Sequence, residues 1–156
     1  MNISIRPAVA EDAAALSALS MRSKQSNGYD DTFMQACRQE LTVTPVQLES
    51  GGWWVAESAQ SGGDEYCGCV CLRDSLDGTG EVHAFFIDPA WQRRGIGRKL
   101  WKKVLECAHA QRITRIILDA DPAAVPFYRA LGFETIGEKP SGSIVGRMLP
   151  HMAISL

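Results

Sequence analysis

The stretch from residue 83 to 105 changes character three times, and it constrains the fold more than any other part of the chain. An apolar run at Ala84–Ile87 predicts a buried strand, Asp88-Pro89 ends it, and an amphipathic helix begins near Arg98. Between strand and helix lies the basic, glycine-containing turn Gln92–Gly97. The amides of a helix's first turn have no intrahelical partner and lie at the positive end of the helix dipole. The unit therefore predicts an anion site.

Two glycines, Gly95 and Gly97, would let the backbone approach an anion without an intervening Cβ. Four cations add positive charge at the rim, namely Arg93, Arg94, Arg98 and Lys99. The turn is not a Walker loop, because no Gly-Lys-Ser/Thr follows, and it is not a dinucleotide fingerprint, because Leu100 replaces the third glycine. The alternative is an ordinary helix start with a solvated basic face.

The segment Gln92–Gly97 resembles the pyrophosphate-binding signature of the GNAT superfamily of acyl-CoA-dependent N-acyltransferases. A second segment, Ala123–Phe133, is similar to the family's later A-x-x-F-Y-x-x-L-G-F helix. The two motifs follow the family's order and spacing. The resemblance implies the GNAT fold, which is α/β (α+β by some schemes). Its mixed, mostly antiparallel sheet has a central, splayed parallel strand pair and flanking helices, here within one domain over residues 1–156.

The composition of 156 residues, 46% hydrophobic with a net charge of −2, suits one globular domain. Because the chain is mildly acidic overall, the basic stretch is local, which argues against a nucleic-acid partner. No apolar run approaches the length of a membrane helix, and Met1–Arg6 has no signal-peptide core. These features predict a cytoplasmic protein without a membrane partner.

The five cysteines are an odd number and fit a reducing compartment better than a disulfide framework. Cys67, Cys69 and Cys71 alternate, so we expect all three on one face of a strand. Their spacing differs from that of zinc sites and favours core packing over metal binding. The sequence therefore predicts no metal.

Hydrophobic periodicity and turn residues divide the chain into seven strands and four helices. The predicted strands are 2–6, 52–57, 67–73, 81–87, 115–119, 133–138 and 148–155. The predicted helices are 11–22, 32–41, one that begins near 98, and 122–131. The strands 81–87 and 115–119 are expected to be parallel, with a helix as the crossover.

The resemblance implies that acetyl-CoA, as cosubstrate, lies in the gap between the two parallel strands. The backbone near Phe86–Asp88 would bind the pantetheine arm. The glycine turn would hold the pyrophosphate, and Asp119 would lie near the thioester. The predicted cofactor-binding residues are Phe86, Ile87, Asp88, Gln92, Arg93, Arg94, Gly95, Ile96, Gly97, Arg98, Lys99, Asp119 and Phe127.

Acyl transfer to an amine needs a base for the amine proton and an acid for the thiolate leaving group. Tyr128 occupies the family's general-acid position, with a packing tyrosine as the alternative. Glu81 lies six residues before Ile87, the offset of the glutamate base in lysine-acetylating GNAT enzymes. His83 is the second candidate, since its ordinary pKa of about 6.5 suits base chemistry. A water chain is the third, and each polar residue could instead be structural.

In the GNAT fold the second helix and the loop before it commonly wall the acceptor site, so Tyr29, Asp30, Asp31 and Phe33 are candidate substrate contacts. The alternative is a solvated helix start capped by Asp31 or Thr32. The resemblance predicts an N-acetyltransferase that acts on a small-molecule primary amine. A protein N-terminal or lysine acetyltransferase and a non-catalytic acyl-CoA sensor remain alternatives. The sequence leaves a monomer and a homodimer open.

Overall fold

Seven strands form one sheet in the computed structural model, which describes residues 2–59 and 65–156. In chain order they are β1 (Ile3–Pro7), β2 (Trp53–Ser58), β3 (Glu65–Asp74), β4 (Thr79–Ile87), β5 (Arg115–Asp119), β6 (Glu134–Pro140) and β7 (Met148–Ser155). The helices are α1 (Ala13–Gln25), α2 (Asp31–Leu41), α3 (Pro45–Glu49), α4 (Ile96–Ala110) and α5 (Val125–Leu131).

The sheet has the order β1-β2-β3-β4-β5-β7-β6, and β4–β5 is its parallel pair among the described strands. One apolar layer packs α4 and α5 against the sheet, through residues such as Leu100 and Tyr128. The opposite layer contains Leu16 and Leu19 of α1 and Leu48 of α3. The predicted mixed, mostly antiparallel sheet flanked by helices is confirmed.

The parallel pair separates soon after it starts. Pairing runs only from Thr79–Arg115 to Glu81–Ile117, although β4 continues to Ile87 and β5 to Asp119. The rest of β4 stays paired with β3 on its other side, up to Gly68–Ile87. The predicted splay is therefore confirmed, and it opens a gap in the middle of the sheet.

The ends of several elements follow from local chemistry. Strands β5 and β7 match their predicted ranges, and α5 ends before Gly132, whose φ of 109° provides a left-handed stop. Helix α4 begins at Ile96 rather than near Arg98, because Gly95 (φ 79°) already caps it. Among the described helices, none is long and apolar enough to cross a membrane.

The prediction that three cysteines share one face is wrong for Cys67. Ala56 pairs with Gly68 and Glu57 with Tyr66, so Cys67 is an extra residue in a β-bulge. The bulge turns Cys67 into the α4 layer, whereas Cys69 and Cys71 lie in the α1 layer. All three are buried, and burial raises their pKa values to about 11 for Cys67 and Cys71 and about 12 for Cys69. They are therefore thiols at neutral pH.

Helix α3 was not among the predicted elements. Its signal is the sequence Thr44-Pro45-Val46-Gln47, a capping box with proline in the first turn. The Thr44 hydroxyl accepts from the Gln47 amide at 3.2 Å, and Gln47 Oε1 accepts from the Thr44 amide at 3.0 Å. The predicted connection Ser58–Asp64 begins inside β2 and then leaves the described residues.

Candidate active site

A cavity of about 690 Å³ occupies the gap between β4 and β5. Its walls include the part of β4 from Val82 to Ile87, the end of β5 at Leu118 and Asp119, and the start of α5. Because the two strands separate after Glu81–Ile117, the cavity reaches through the sheet from one helical layer to the other. Such a position at the carboxyl ends of parallel strands is where α/β folds bind ligands.

The turn between β4 and α4 lies at one end of this cavity. Arg93 (φ 63°) and Gly95 (φ 79°) both have left-handed backbone conformations, which aim the chain into the helix. The first intrahelical bond runs from the Lys99 amide to the Gly95 carbonyl at 3.2 Å. The amides of Ile96, Gly97 and Arg98 precede it and point out of the helix end. The turn thus offers three amide donors.

Gly97 is required for packing as well as for access. A Cβ at this position would lie 2.9 Å from the ring of Phe127, so the α4 backbone and the α5 aromatic side chain are in close contact. At Gly95, by contrast, a Cβ would meet nothing within 4 Å, and the positive φ alone explains the glycine. The two glycines therefore have different physical reasons.

Most predicted cofactor residues lie in the cavity wall: Phe86, Ile87, Gln92, Arg93, Gly95, Ile96, Gly97, Arg98, Asp119 and Phe127. Asp88, Arg94 and Lys99 lie outside it. The Arg94 guanidinium stacks over Trp91 at 4.9 Å, and the Asp88 carboxylate accepts from Arg22 at 2.7 Å. The Asp88 amide also donates to the Cys67 carbonyl. Both the carboxylate and the amide of Asp88 therefore have partners within the protein.

Tyr128 lines the cavity from α5, and its ring is held by aromatic neighbours. The ring centroids of Phe127, Phe133 and Phe85 lie 5.4, 5.6 and 6.1 Å away. Burial raises the pKa of the phenol well above its ordinary value, and the nearby charge of Asp121 raises it further. Tyr128 therefore keeps its proton at neutral and alkaline pH, as a proton donor must.

The two predicted bases occupy different positions. Cys71 pairs with Ala84 and Leu72 with Val82, so His83 is the extra residue of a bulge in β4 and lines the cavity. Glu81 lies outside the cavity wall and is paired across the strands with Arg73. Burial lowers the pKa of His83, and the charge of Arg73 lowers it further. His83 is therefore neutral at pH 7.

The predicted substrate contacts also lie outside the cavity wall. Tyr29 and Phe33 stack on each other with ring centroids 4.0 Å apart, and the Tyr29 hydroxyl donates to Asp121 at 2.9 Å. Asp30 accepts from the Phe33 amide at 2.8 Å and caps α2. The cap expected at Asp31 or Thr32 is thus one residue or more too late, because Asp30 has the extended backbone of an N-cap.

Several cavity residues were not found from the sequence. At the end near α2 and α3 the wall includes Glu40, Thr42 and Gln47, and at the end of α1 it includes Ser20, Ser23, Lys24 and Asn27. Gln47 could have been found from the capping box, which predicts α3. The predicted residue Asp119 accepts from His151 Nδ1 at 2.7 Å across the β5–β7 pair.

The sequence matches the description "Acetyltransferase (GNAT) domain" over residues 21–154. The Salmonella typhimurium protein YjaB, named a peptidyl-lysine N-acetyltransferase, is 32% identical over 139 residues, 88% of this chain and 87% of YjaB. RimI of Mycobacterium tuberculosis, named an N-alpha-acetyltransferase, is 36% identical over 81 residues, 51% of each chain. A Mycobacterium leprae protein, 38% identical over 75 residues, is matched over 21% of its length.

The fold has close counterparts among solved structures. The PaiA N-acetyltransferase from Thermoplasma acidophilum, in complex with coenzyme A, superposes with a TM-score of 0.79 over 100% of both chains at 16% identity. At that identity the likeness concerns the fold. Together with the domain match, it assigns the sheet, the splayed strands and the glycine turn to the GNAT class of acetyltransferases. The chain belongs to the GNAT acetyltransferase family.

Proposed function

We propose that this protein transfers an acetyl group from acetyl-CoA to the primary amine of a small molecule. One observation carries the proposal: a single cavity joins the amide-rich turn before α4 to the buried phenol of Tyr128. The turn binds the pyrophosphate through the amides of Ile96, Gly97 and Arg98 and the charge of Arg93. The pantetheine arm then lies along the open edge of β4 towards Tyr128.

The reaction is a direct attack with no covalent enzyme intermediate. The amine nitrogen forms a bond to the thioester carbon, and the carbon–sulfur bond breaks. Tyr128 protonates the departing sulfur, because its raised pKa keeps the phenol protonated until the thiolate develops. Backbone amides near Ile87 polarise the carbonyl oxygen.

For the amine proton we assign His83 as the base, with Glu81 acting only through a water chain. His83 lines the cavity and Glu81 does not, and the lowered pKa of His83 keeps its ring neutral near pH 7. We expect kcat/KM to rise as His83 loses its proton, with a limb below pH 6.5 that His83→Gln abolishes and Glu81→Gln retains. A limb that persists unchanged in His83→Gln would reject this assignment.

The loop between β6 and β7 contacts Tyr29 and α2, the region expected to wall the acceptor site and here called the acceptor end. These contacts support a small acceptor. Arg147, in the loop between β6 and β7, donates to the Tyr29 hydroxyl at 2.6 Å. In the same loop, Ser143 Oγ lies 3.5 Å from Cys37 Sγ of α2. A Cβ at Gly142 would lie 2.8 Å from Glu40 Oε2, so this part of the loop also touches α2. A peptide crossing this end would have to separate these contacts, whereas a small amine would not.

The test is release of CoA thiol from acetyl-CoA over a panel of acceptors. The panel contains a polyamine, an amino acid, an amino sugar, a peptide with a free N-terminus and an N-terminally blocked peptide with an internal lysine. We expect turnover with at least one small amine and less than a tenth of that kcat/KM with either peptide. Binding of CoA by calorimetry without turnover would make the protein a sensor, and absence of CoA binding would refute the proposal.

A second candidate is lysine acetylation of proteins. It is favoured by YjaB, which is similar over 88% of this chain and is named a peptidyl-lysine N-acetyltransferase. This function requires the loop that contains Arg147 to move away from α2. Faster turnover of the internal-lysine peptide than of every small amine would select it.

We also propose that the protein works in a reducing compartment such as the cytoplasm. All five cysteines are free, and four of them are buried. Whether the protein is a monomer or a homodimer stays a prediction for sedimentation analysis.

A further inference from the structure

The chain leaves each of the two splayed strands through the same tripeptide, Asp-Pro-Ala. Asp88 directly follows β4, and Asp121 follows the end of β5 by two residues. Both aspartates have φ −60° and ψ 134°, and both accept from the amide two residues later at 2.9 Å, Ala90 in one case and Ala123 in the other. The two exits therefore have the same local structure, and each carboxylate has a second oxygen directed elsewhere.

Both of these second oxygens bind cations from the end of α1. Arg22 donates from Nε and Nη2 to Asp88 Oδ2 at 3.0 and 2.7 Å. Lys24 donates from Nζ to Asp121 Oδ2 at 2.7 Å. Positions two apart on a helix point about 200° apart, so the two side chains leave α1 in opposite directions and reach the segments after β4 and after β5. Ser23, between them, lies in the cavity wall.

The two ion pairs are shielded to different degrees. The side chains of Lys24 and Asp121 are 14% and 12% exposed, whereas Arg22 is 51% exposed beside a 13% exposed Asp88. Asp121 also accepts from the Tyr29 hydroxyl at 2.9 Å, and Arg147 lies 3.6 Å away. The Asp121 side is therefore the more firmly held, because shielded charges lose less of their attraction to solvent.

We propose that Arg22 and Lys24 are positioning residues that set the gap between β4 and β5 at the width a bound acyl-CoA requires. We call the pairs Arg22–Asp88 and Lys24–Asp121 the α1 clamp. Asp88 leads into the turn that binds pyrophosphate, and Asp121 leads into the helix that carries Tyr128. The clamp thus fixes the two ends of the cofactor relative to each other. This inference rests on the proposed function, since acyl-CoA is what fills the gap.

Positioning and simple electrostatics predict opposite changes in CoA affinity when Asp88 or Asp121 is neutralised. CoA carries several negative charges, so neutralising an aspartate near it should by Coulomb attraction alone tighten its binding. Asparagine keeps the side-chain oxygen that accepts from the amide two residues later, but it lacks the charge that holds Arg22 or Lys24. If the clamp positions the strands, Asp88→Asn and Asp121→Asn instead weaken CoA binding.

The experiment is calorimetric titration of CoA into the full chain at 0.15 M salt, at a temperature where circular dichroism shows every variant to be folded. We expect Kd for CoA to rise about tenfold in Asp88→Asn and in Asp121→Asn. The matched control is Glu106→Gln, which removes one negative charge from the exposed Lys103–Glu106 pair on α4. We expect its Kd to stay within about twofold of wild type.

Two further variants separate positioning from general damage. Lys24→Arg should restore most of the affinity that Lys24→Met loses, because arginine can also pair with Asp121. The double variant Lys24→Met/Asp121→Asn should have a Kd for CoA no higher than that of the single variant with the higher Kd, since both substitutions break the same ion pair. Additive losses, or aspartate variants that bind CoA as tightly as wild type, would overturn the clamp alone. A wild-type protein that does not bind CoA would overturn the proposed function itself.

Discussion

Two aspartates in different regions of the molecule, Asp12 and Asp121, each accept hydrogen bonds from one basic side chain and one tyrosine hydroxyl. Asp12 accepts from Arg6 at 2.8 and 3.0 Å and from the Tyr66 hydroxyl at 2.6 Å. Asp121 accepts from Lys24 at 2.7 Å and from the Tyr29 hydroxyl at 2.9 Å. Asp121 lies in the cavity wall, whereas Asp12 lies outside it, at the start of α1.

The two regions show that the role of such a hydrogen-bond network depends on whether it lies beside the cavity or away from it. Hydrogen bonds from Arg6 lower the pKa of Asp12 to about 2. This network joins β1 and β3 to the start of α1, and α1 already packs against β3. Burial opposes ionisation of Asp121, yet hydrogen bonds from Lys24 and the Ala123 amide lower its pKa as well. Because Lys24 and Asp121 lie in the cavity wall, we assign this network to function and the Asp12 network to stability.

The largest effect is expected for Asp12→Ala. The substitution leaves Arg6 without its main partner and Tyr66 without its acceptor, and Asp12 is only 2% exposed. We expect the free energy of unfolding in urea to fall by about 3 kcal/mol, because Arg6 is left with Glu57 as its carboxylate partner and the part-buried hydrogen bond from the Tyr66 hydroxyl is lost. The Kd for CoA of the folded variant should stay within about twofold of wild type. A weakened CoA affinity with an unchanged free energy of unfolding would contradict the assignment of the Asp12 network to stability.

Acid should remove part of this stability in a predictable window. The pKa of Asp12 is about 2 in the fold against 3.8 in the unfolded chain, so its contribution is present above pH 4 and is lost as pH falls towards 2. We expect about 2 kcal/mol of the stability difference between wild type and Asp12→Asn to disappear over that range. Urea unfolding at pH 5, 4, 3 and 2 measures it. A difference independent of pH would contradict the assigned role.

The smallest effects come from the matched pair Tyr66→Phe and Tyr29→Phe, which remove the same hydroxyl from the two networks. We expect Tyr66→Phe to lower the free energy of unfolding by about 1.5 kcal/mol without changing KM for the acceptor. Tyr29→Phe should cost about 1 kcal/mol. It should also raise the acceptor KM about threefold, because Arg147 loses its hydrogen bond to the Tyr29 hydroxyl and the loop before β7 is held less firmly. The same acceptor KM in the two variants would show that the Tyr29 network affects function no more than the Tyr66 network does.

The parts of the fold that could be predicted from the sequence are those whose cause is local. Gly95 and Gly132 fix helix ends through their own backbone restrictions, so the start of α4 was predicted to within two residues and the end of α5 correctly. The start of α5 lies three residues after the predicted Pro122, because Pro122–Ala124 forms a separate 3-10 turn. The splayed strand pair came from the resemblance carried by two short motifs. The bulges at Cys67 and His83 were missed, because a bulge depends on the partner strand's register.

The ion pairs around the cavity were beyond sequence reasoning for a different reason. Arg22 and Asp88 are 66 residues apart, Lys24 and Asp121 97, and Tyr29 and Arg147 118. No local pattern records which of the chain's charged residues meet after the sheet has formed. Tyr29 was predicted as a substrate contact from the family resemblance, and its hydrogen bonds to Asp121 and Arg147 were not predicted. The repeated tripeptide Asp-Pro-Ala is a local sequence pattern that indicates the same backbone conformation after β4 and after β5.

The most direct test of the proposed mechanism is the kcat of Tyr128→Phe with acetyl-CoA and the most reactive amine of the panel. Phenylalanine keeps the ring that packs against Phe85, Phe127 and Phe133 and removes only the proton donor. We predict a fall in kcat of about 100-fold, with Kd for CoA within about twofold of wild type. An unchanged kcat would contradict the account, because the sulfur would then take its proton from another group.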